Sequence, residues 1–190
     1  MRIKICGITS PEDAQYAERE GADAIGVVLF SASPRSVPVE RAREIFNAVG
    51  PFTATVAVTH TQSEDELNRI RDLHPTAIQI SHPFTFKEDP DVRIIRVITR
   101  GDTLQKDCDA IIVDESHGSG KSFDLSHARE VVKRSVVPVI LAGGLTPENV
   151  GEAIRGVRPY AVDVASGVEQ APGKKDREKI RAFIAACRRA

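Results

Sequence analysis

Residues 2–30 read RIKICGITSPEDAQYAEREGADAIGVVLF, which is a strand, a helix and a second strand in close succession. Ser10 precedes Pro11 and an acidic first turn, and this order is typical of a helix N-terminus. The flanking runs RIKICGI and AIGVVLF are almost continuously apolar, as expected for parallel strands that are buried on both faces. The stretch therefore predicts a strand–helix–strand unit with a parallel crossover.

Six further apolar runs repeat the pattern and bring the number of predicted strands to eight. They cover residues 53–59, 77–81, 93–98, 110–114, 137–143 and 161–166. Between and after them, apolar residues recur at helical spacing. The clearest examples are Ala42, Ile45, Phe46 and Val49, and Ile180, Phe183, Ile184 and Cys187. Thr146-Pro147-Glu148 predicts a further helix start of the same kind as Ser10.

Eight such units favour a closed (β/α)8 TIM barrel over an open doubly wound sheet. We expect residues 1–190 to form one catalytic domain, because a chain of 190 residues can bury one sizeable core. The fourth, fifth and sixth strands begin too close together to leave room for full helices between them. The barrel is therefore predicted to be small, with the helices after strands four and five shortened or missing.

The composition narrows the classes of partner. Lys plus Arg number 26 and Asp plus Glu number 27, so neither a nucleic-acid nor a membrane-surface binder is expected. Three dispersed cysteines, the absence of an export segment before the first strand and the lack of a bilayer-length apolar run favour a cytoplasmic protein. The five histidines form no ligand constellation, so no metal is predicted.

Active sites of such barrels lie at the carboxyl ends of the strands. After strand seven the chain reads Ala142-Gly143-Gly144-Leu145, and after strand eight Ser166-Gly167-Val168. Glycines there let backbone N–H groups approach an anion, and loops seven and eight commonly hold phosphate in this fold. The glycines could instead only form tight turns, but the pairing of two such loops favours phosphate.

Polar residues at three other strand ends are candidates for chemistry. Asp114 ends strand six after four apolar residues, although an aspartate there could also cap a helix. Arg35 follows strand two and suits bidentate capture of a carboxylate, although alone it would be read as a solvated surface residue. Because side chains alternate along a strand, we expect Lys4 to pair with Asp163 inside the barrel and Cys6 to point inward, nearer the site.

With these residues assembled, the chain resembles the phosphoribosylanthranilate isomerase family of tryptophan biosynthesis. The resemblance spans nearly the whole chain as an ordered set of motifs. They are KICGIT at 4–9, Gly21-Ala22-Asp23-Ala24, Ser33-Pro34-Arg35, Gly118-Ser119-Gly120-Lys121 with Phe123-Asp124, AGGLTPENV at 142–150, AVDVASGVE at 161–169 and PGKKD at 172–176. On the residues alone, Gly118-Ser119-Gly120-Lys121 looks like a flexible lid with a cation, or like a mobile solvent loop.

The resemblance implies a cofactor-independent (β/α)8 barrel that isomerises N-(5-phosphoribosyl)anthranilate by an Amadori rearrangement. It implies Cys6 as general base, Asp114 as general acid and Arg35 on the anthranilate carboxylate, with Gly143, Gly144, Ser166 and Gly167 on the phosphate. Asp163 is a further candidate for substrate binding. In this chemistry Cys6 must be favoured as its thiolate, while Asp114 must keep a proton. A monomer or a homodimer is expected, with a phosphosugar as the only partner.

Three departures from the family's usual pattern concern the walls of the site. The chain has Gln79-Ile80-Ser81-His82 after strand four, Thr59-His60-Thr61 after strand three, and His117 in loop six. These changes bear on substrate affinity and do not touch the residues assigned to chemistry.

Two other functions are possible for this fold. A sister barrel of the histidine pathway runs the same chemistry with a carboxylate at the end of strand one, and Cys6 argues against it. A phosphate-binding barrel without catalysis is the other alternative, and the joint presence of Cys6, Asp114 and Arg35 argues against that.

Overall fold

A computed structural model describes residues 1–85, 92–99, 101–102, 104, 107–114 and 125–190, and within them eight parallel strands form a closed barrel. The strands are β1 (Arg2–Ile5), β2 (Ala24–Leu29), β3 (Ala54–Thr59), β4 (Ala77–Ile80), β5 (Arg93–Ile98), β6 (Ala110–Asp114), β7 (Val139–Ala142) and β8 (Ala161–Val164). Each strand pairs with the next, and β1 closes the barrel on β8 with Lys4 opposite Asp163. The predicted (β/α)8 barrel is confirmed.

Six helices lie in the described part of the chain. They are α1 (Pro11–Glu20), α2 (Val39–Asn47), α3 (Glu64–Arg71), α4 (Ser126–Arg134), α5 (Val150–Val157) and α6 (Arg177–Arg189). The described residues between β4 and β5, and between β5 and β6, contain no helix, in agreement with the expected trimming of the barrel. Within the described ranges, no helix has the length and apolar content needed to cross a bilayer.

Two predicted helix starts have different outcomes. The Ser10 side chain accepts a hydrogen bond from the Asp13 backbone N–H at 3.2 Å, so α1 begins as predicted. The prediction that Thr146 opens a helix directly is wrong, because α5 begins only at Val150. The Thr146 N–H donates to the Asn149 side chain at 2.8 Å, and the Thr146 carbonyl accepts from the Asn149 N–H. This local pairing makes a turn first.

Arg96 on β5 holds the described residues that follow β4. Its side chain is buried and donates to the backbone carbonyls of His82 and Phe84, each at 2.6 Å. A guanidinium can satisfy several carbonyls at once, so it stabilises the backbone of residues 82–84.

The core has two layers, as expected for strands that are buried on both faces. The outer layer lies between the barrel and the helices, and it includes the predicted apolar face of α6. The inner layer fills the barrel and contains Cys6. Its other buried members are Val28, Val56, Val58, Ala77, Ile95, Ala110, Ile112, Ile140, Ala142 and Ala161.

After β8 the chain forms a 3₁₀ turn at Ser166–Val168 and then a small hairpin, which the sequence analysis did not predict. The hairpin strands are β9 (Glu169–Ala171) and β10 (Lys174–Lys175). The Thr9 hydroxyl donates to the Gly173 carbonyl at 2.6 Å, so the hairpin is fixed beside the loop after β1. It therefore lies at the same end of the barrel as the predicted site.

Candidate active site

A cavity of about 230 Å³ opens at the carboxyl ends of the strands. Most of the residues predicted from the sequence line it: Arg35, Asp114, Gly143, Gly144, Asp163 and Ser166. Val164 and Ala165, at the end of β8, complete the wall next to Cys6. The cavity thus brings together a cation, two carboxylates and two glycine-containing loops that lie far apart in the sequence.

Cys6 lies at the end of β1, beside this cavity. Its N–H donates to the Val164 carbonyl at 2.8 Å, and its side chain is 8% exposed. A methyl group built on Gly26 would come within 2.9 Å of the Cys6 sulfur and 3.1 Å of the Lys4 ammonium. Gly26 therefore provides the space in which the sulfur and the ammonium lie together.

Lys4 spans the interior of the barrel. Its ammonium donates to Asp163 and to Gln79, each at 3.0 Å, and all three side chains are buried. The predicted Lys4–Asp163 pair and the inward direction of Cys6 are confirmed. Burial is the largest single influence and would lower the pKa of Lys4, but the charges and hydrogen bonds of Asp163 and Cys6 together raise it above its ordinary value. Lys4 is therefore a fixed cation.

The pKa of the Cys6 thiol reflects opposing influences. Burial raises it above the ordinary value of 9.0 and is the largest contribution. The charges of Lys4 and Lys175 lower it, while Asp163 raises it. Lys4 and Lys175 therefore favour the thiolate of Cys6, which is the form that a general base requires.

Arg35 crosses the mouth of the barrel directly over the residue after Cys6. A side chain on Gly7 would meet the Arg35 Cδ at 2.6 Å, and Gly7 also has a positive φ of 71°. The arginine is bidentate on Glu169, with Nε 2.9 Å from Oε1 and Nη2 2.7 Å from Oε2. The cation predicted for a substrate carboxylate is thus already oriented by a carboxylate of the protein.

The loops after β7 and β8 approach each other through Gly167. A Cβ at this position would lie 1.9 Å from the Leu145 carbonyl oxygen, so only glycine fits there. Gly143 and Gly144 have positive φ values of 89° and 61°. The pair of loops therefore has the close backbone packing that an anion site made of N–H groups needs.

Some predicted features lie outside this geometry. Gly118-Ser119-Gly120-Lys121, Phe123-Asp124 and His117 fall outside the described residues. His60 lies near the mouth, with Nδ1 2.9 Å from the Ser31 hydroxyl. Among the described residues, no group of three or more His, Cys, Asp or Glu side chains could hold a metal ion.

Three functional candidates were not predicted from the sequence, namely Gly26, Glu169 and Lys175. The last two belong to quoted stretches, AVDVASGVE and PGKKD, yet neither was assigned a role. The sequence feature that could have identified Glu169 and Lys175 is their position shortly after the end of the eighth predicted strand. A Lys-Lys pair in a turn is normally solvated, and only the fold shows that Lys175 is buried.

The family model for N-(5'phosphoribosyl)anthranilate (PRA) isomerase matches residues 3–186 of this chain. The chain is 64% identical over 191 residues to the N-(5'-phosphoribosyl)anthranilate isomerase of Methanoregula boonei, with 100% of this chain and 98% of that protein covered.

Solved structures agree. One is a phosphoribosyl anthranilate isomerase in complex with reduced 1-(o-carboxyphenylamino)-1-deoxyribulose 5-phosphate, with a TM-score of 0.82, 33% identity and 100% of both chains covered. Another describes mutually generated monomers of the dimeric enzyme from Thermotoga maritima, with a TM-score of 0.81, 31% identity and 100% of both chains covered.

Proposed function

This chain belongs to the N-(5'-phosphoribosyl)anthranilate isomerase family, and we propose that Cys6 and Asp114 carry out the proton transfers of its reaction. The enzyme converts N-(5'-phosphoribosyl)anthranilate to 1-(2-carboxyphenylamino)-1-deoxyribulose 5-phosphate, an aldose–ketose isomerisation of tryptophan biosynthesis. The observation that supports the residue roles is the cavity at the carboxyl end of the barrel. Asp114 and Arg35 line it, and Cys6 adjoins it.

The chemistry divides between an acid and a base. Protonated Asp114 gives its proton to the furanose ring oxygen as the bond from that oxygen to C1 breaks, which leaves a Schiff base. The Cys6 thiolate then takes the proton from C2, and the electron pair moves toward the nitrogen to give an enolamine. Tautomerisation to the ketone completes the isomerisation. Each group has one positioned proton transfer to perform.

The remaining site residues hold the two ends of the substrate. Arg35 pairs with the anthranilate carboxylate, as its planar guanidinium favours. The phosphate lies between the loops after β7 and β8, on backbone N–H groups of Gly143, Gly144, Ser166 and Gly167. Asp163 acts chiefly as the counter-charge of Lys4, 3.0 Å away.

Three properties of the whole protein complete the proposal. Residues 1–190 act as one catalytic domain, as a barrel closed by β1 on β8 supports. The protein works as a monomer or a homodimer, in line with the dimeric and monomeric forms of its relative. It acts in the cytoplasm, where reducing conditions keep a catalytic thiol free.

Turnover of N-(5'-phosphoribosyl)anthranilate by the wild type, Cys6→Ser and Asp114→Asn tests the residue roles. Each substitution should lower kcat by roughly 10²–10⁴-fold, because each removes one proton-transfer group. Cys108→Ser is the matched thiol control, since Cys108 precedes β6 at the opposite end of the barrel, and it should retain full activity. Wild-type kcat in both active-site variants would refute the mechanism. An inactive wild type that still binds sugar phosphates would instead indicate a phosphate-binding barrel.

A further inference from the structure

The β9–β10 hairpin carries buried charges that the reaction scheme does not use. The side chain of Lys175 is fully buried and that of Glu169 is 4% exposed. Lys174, the neighbouring lysine on the same strand, is exposed. Burying an ammonium and a carboxylate is costly unless each is paired, so their place in the fold needs an explanation.

Glu169 is the centre of this cluster. Its carboxylate accepts three hydrogen bonds from Arg35 and one from the Lys175 ammonium at 3.0 Å. The Gly173 N–H adds a fifth bond at 3.2 Å. One carboxylate is therefore shared by two cations, and the three side chains together carry a net positive charge.

The Lys175 ammonium lies at the end of β8. It donates to the Ala165 carbonyl at 3.0 Å, and Ala165 packs against the inner-layer cluster to which Cys6 belongs. The Cys6 N–H bonds to the residue just before, Val164. The ammonium is thus fixed at the point where β8 runs beside Cys6.

We infer that Lys175, held by Glu169, is a positioning residue whose ammonium favours the thiolate form of Cys6, and that Glu169 couples it to Arg35. This inference rests on the proposed role of Cys6 as the base. The carboxylate of Glu169 would then have two roles. It orients Arg35, which binds the substrate carboxylate, and it holds the Lys175 ammonium, which favours the thiolate of Cys6.

The charges around Cys6 explain why Lys175 matters even though Lys4 is also present. Among the described residues, four charged groups act on the sulfur from the surrounding elements: Lys4 of β1, Asp163 of β8, Lys175 of β10 and Arg35 of the loop after β2. Asp163 offsets part of the effect of Lys4 on the sulfur, whereas Lys175 and Arg35 together exceed the charge of Glu169.

Lys175 must itself stay protonated to act in this way. Burial is the largest influence and lowers the pKa of Lys175 below its ordinary value of 10.5, and the charge of Arg35 acts in the same direction. Glu169 and the negative charge of a Cys6 thiolate oppose this lowering. Asp13 of α1 also faces Lys175, and the lysine's charge acts to lower the pKa of that carboxyl against the effect of burial. The three carboxylate and thiolate groups near the ammonium therefore limit the loss of its proton that burial and Arg35 favour.

The first test compares Lys175→Met with Lys174→Met, its matched exposed control. The pKa of Cys6 is measured from the ultraviolet absorbance of its thiolate against pH, with the Cys6→Ser form of each protein subtracted. Lys175→Met should raise the pKa by about 1 unit, and Lys174→Met should leave it unchanged. Equal pKa values in the two folded variants would overturn the inference.

The pH dependence of kcat/KM distinguishes an electrostatic role of Lys175 from a purely structural one. With about 1 unit added to the pKa of Cys6, kcat/KM of Lys175→Met should fall about tenfold at neutral pH. The deficit should vanish once the pH exceeds the thiol pKa of the variant, because both enzymes are then fully ionised at Cys6. A deficit of the same size at every pH would count against an electrostatic role.

A second measurement leaves Lys175 unchanged in case its variant does not fold. The nitrogen-15 signal of the Lys175 ammonium is followed against pH in the wild type and in Cys6→Ser. An inflection at the Cys6 pKa should occur in the wild type and be absent in the variant, and its absence from both would overturn the inference.

The failure of this inference and of the proposed function can be told apart. A normal thiol pKa in Lys175→Met with an inactive Cys6→Ser removes only the role of Lys175. Full activity of Cys6→Ser removes the proposed base, whatever the titration shows.

Discussion

Replacing Gly26 with alanine should disrupt catalysis through a single added methyl group. The new Cβ would lie 2.9 Å from the Cys6 sulfur and 3.0 Å from the Lys4 Cε. Ordinary contacts between such atoms are roughly 3.5–4.0 Å, so the sulfur or the lysine must move by about 1 Å. A displacement of that size costs about 10²-fold in rate when it misplaces a reacting group. Overpacking should also lower the free energy of unfolding by about 1–3 kcal/mol.

The assay is kcat/KM for isomerisation together with the thermal midpoint of unfolding. Gly151→Ala is the matched control, because a Cβ there meets only ordinary contacts of 3.4 Å or more in α5. It should leave kcat/KM unchanged and should not lower the free energy of unfolding, since Gly151 lies in the first turn of α5, where alanine is readily accommodated. A Gly26→Ala enzyme with wild-type kcat/KM would refute the idea that this glycine makes room for the base.

Three further predictions concern the phosphate loops, the acid and the hairpin. Gly167→Ala should push its loop off the Leu145 carbonyl and weaken inorganic phosphate binding, measured by calorimetry, by about tenfold or more; unchanged affinity would contradict the site. In Asp114→Asn the proposed base is intact, so residual kcat/KM should rise with pH as the Cys6 thiol ionises, and because burial raises the pKa of that thiol, the rise should continue above pH 9.0; a flat profile would contradict the role of Cys6. Burial alone would raise the pKa of Glu169, but its hydrogen bonds to cations hold it below 4.5. Its contribution to stability is therefore present above pH 4.5 and lost as the pH falls further, and denaturant unfolding of Glu169→Gln should lack that part of the acid dependence.

The strand-borne part of the site could be predicted because it depends on two regular rules. Strand side chains alternate, and neighbouring strands of a closed barrel are fixed by their order. These rules alone place Lys4 opposite Asp163 and direct Cys6 inward, as found. The same rules located Asp114 at a strand end on the cavity wall.

The loop residues Arg35, Gly143, Gly144 and Ser166 were predicted to lie at the site, but the contacts of the loops could not be predicted, because they are irregular and distant in sequence. Arg35 and Glu169 are separated by 134 positions and meet only because the hairpin folds over the loop after β1. Thr146 shows the same limitation on a local scale, since its helix-start pattern was overridden by the Asn149 side chain. No periodic pattern of residues in the sequence indicates either contact.

The raised pKa of Cys6 is compatible with its work as a base. A base of higher pKa accepts a carbon-bound proton with a greater driving force, but less of it is ionised at neutral pH. Burial makes the thiolate a stronger base but lowers the fraction of Cys6 that is ionised at neutral pH. The ammonium groups of Lys4 and Lys175 favour the thiolate and so limit this decrease. A substrate that brings a phosphate and a carboxylate would add negative charge and reduce that population further. The excess positive charge of Arg35 and Lys175 over Glu169 opposes this effect at the place where the substrate binds.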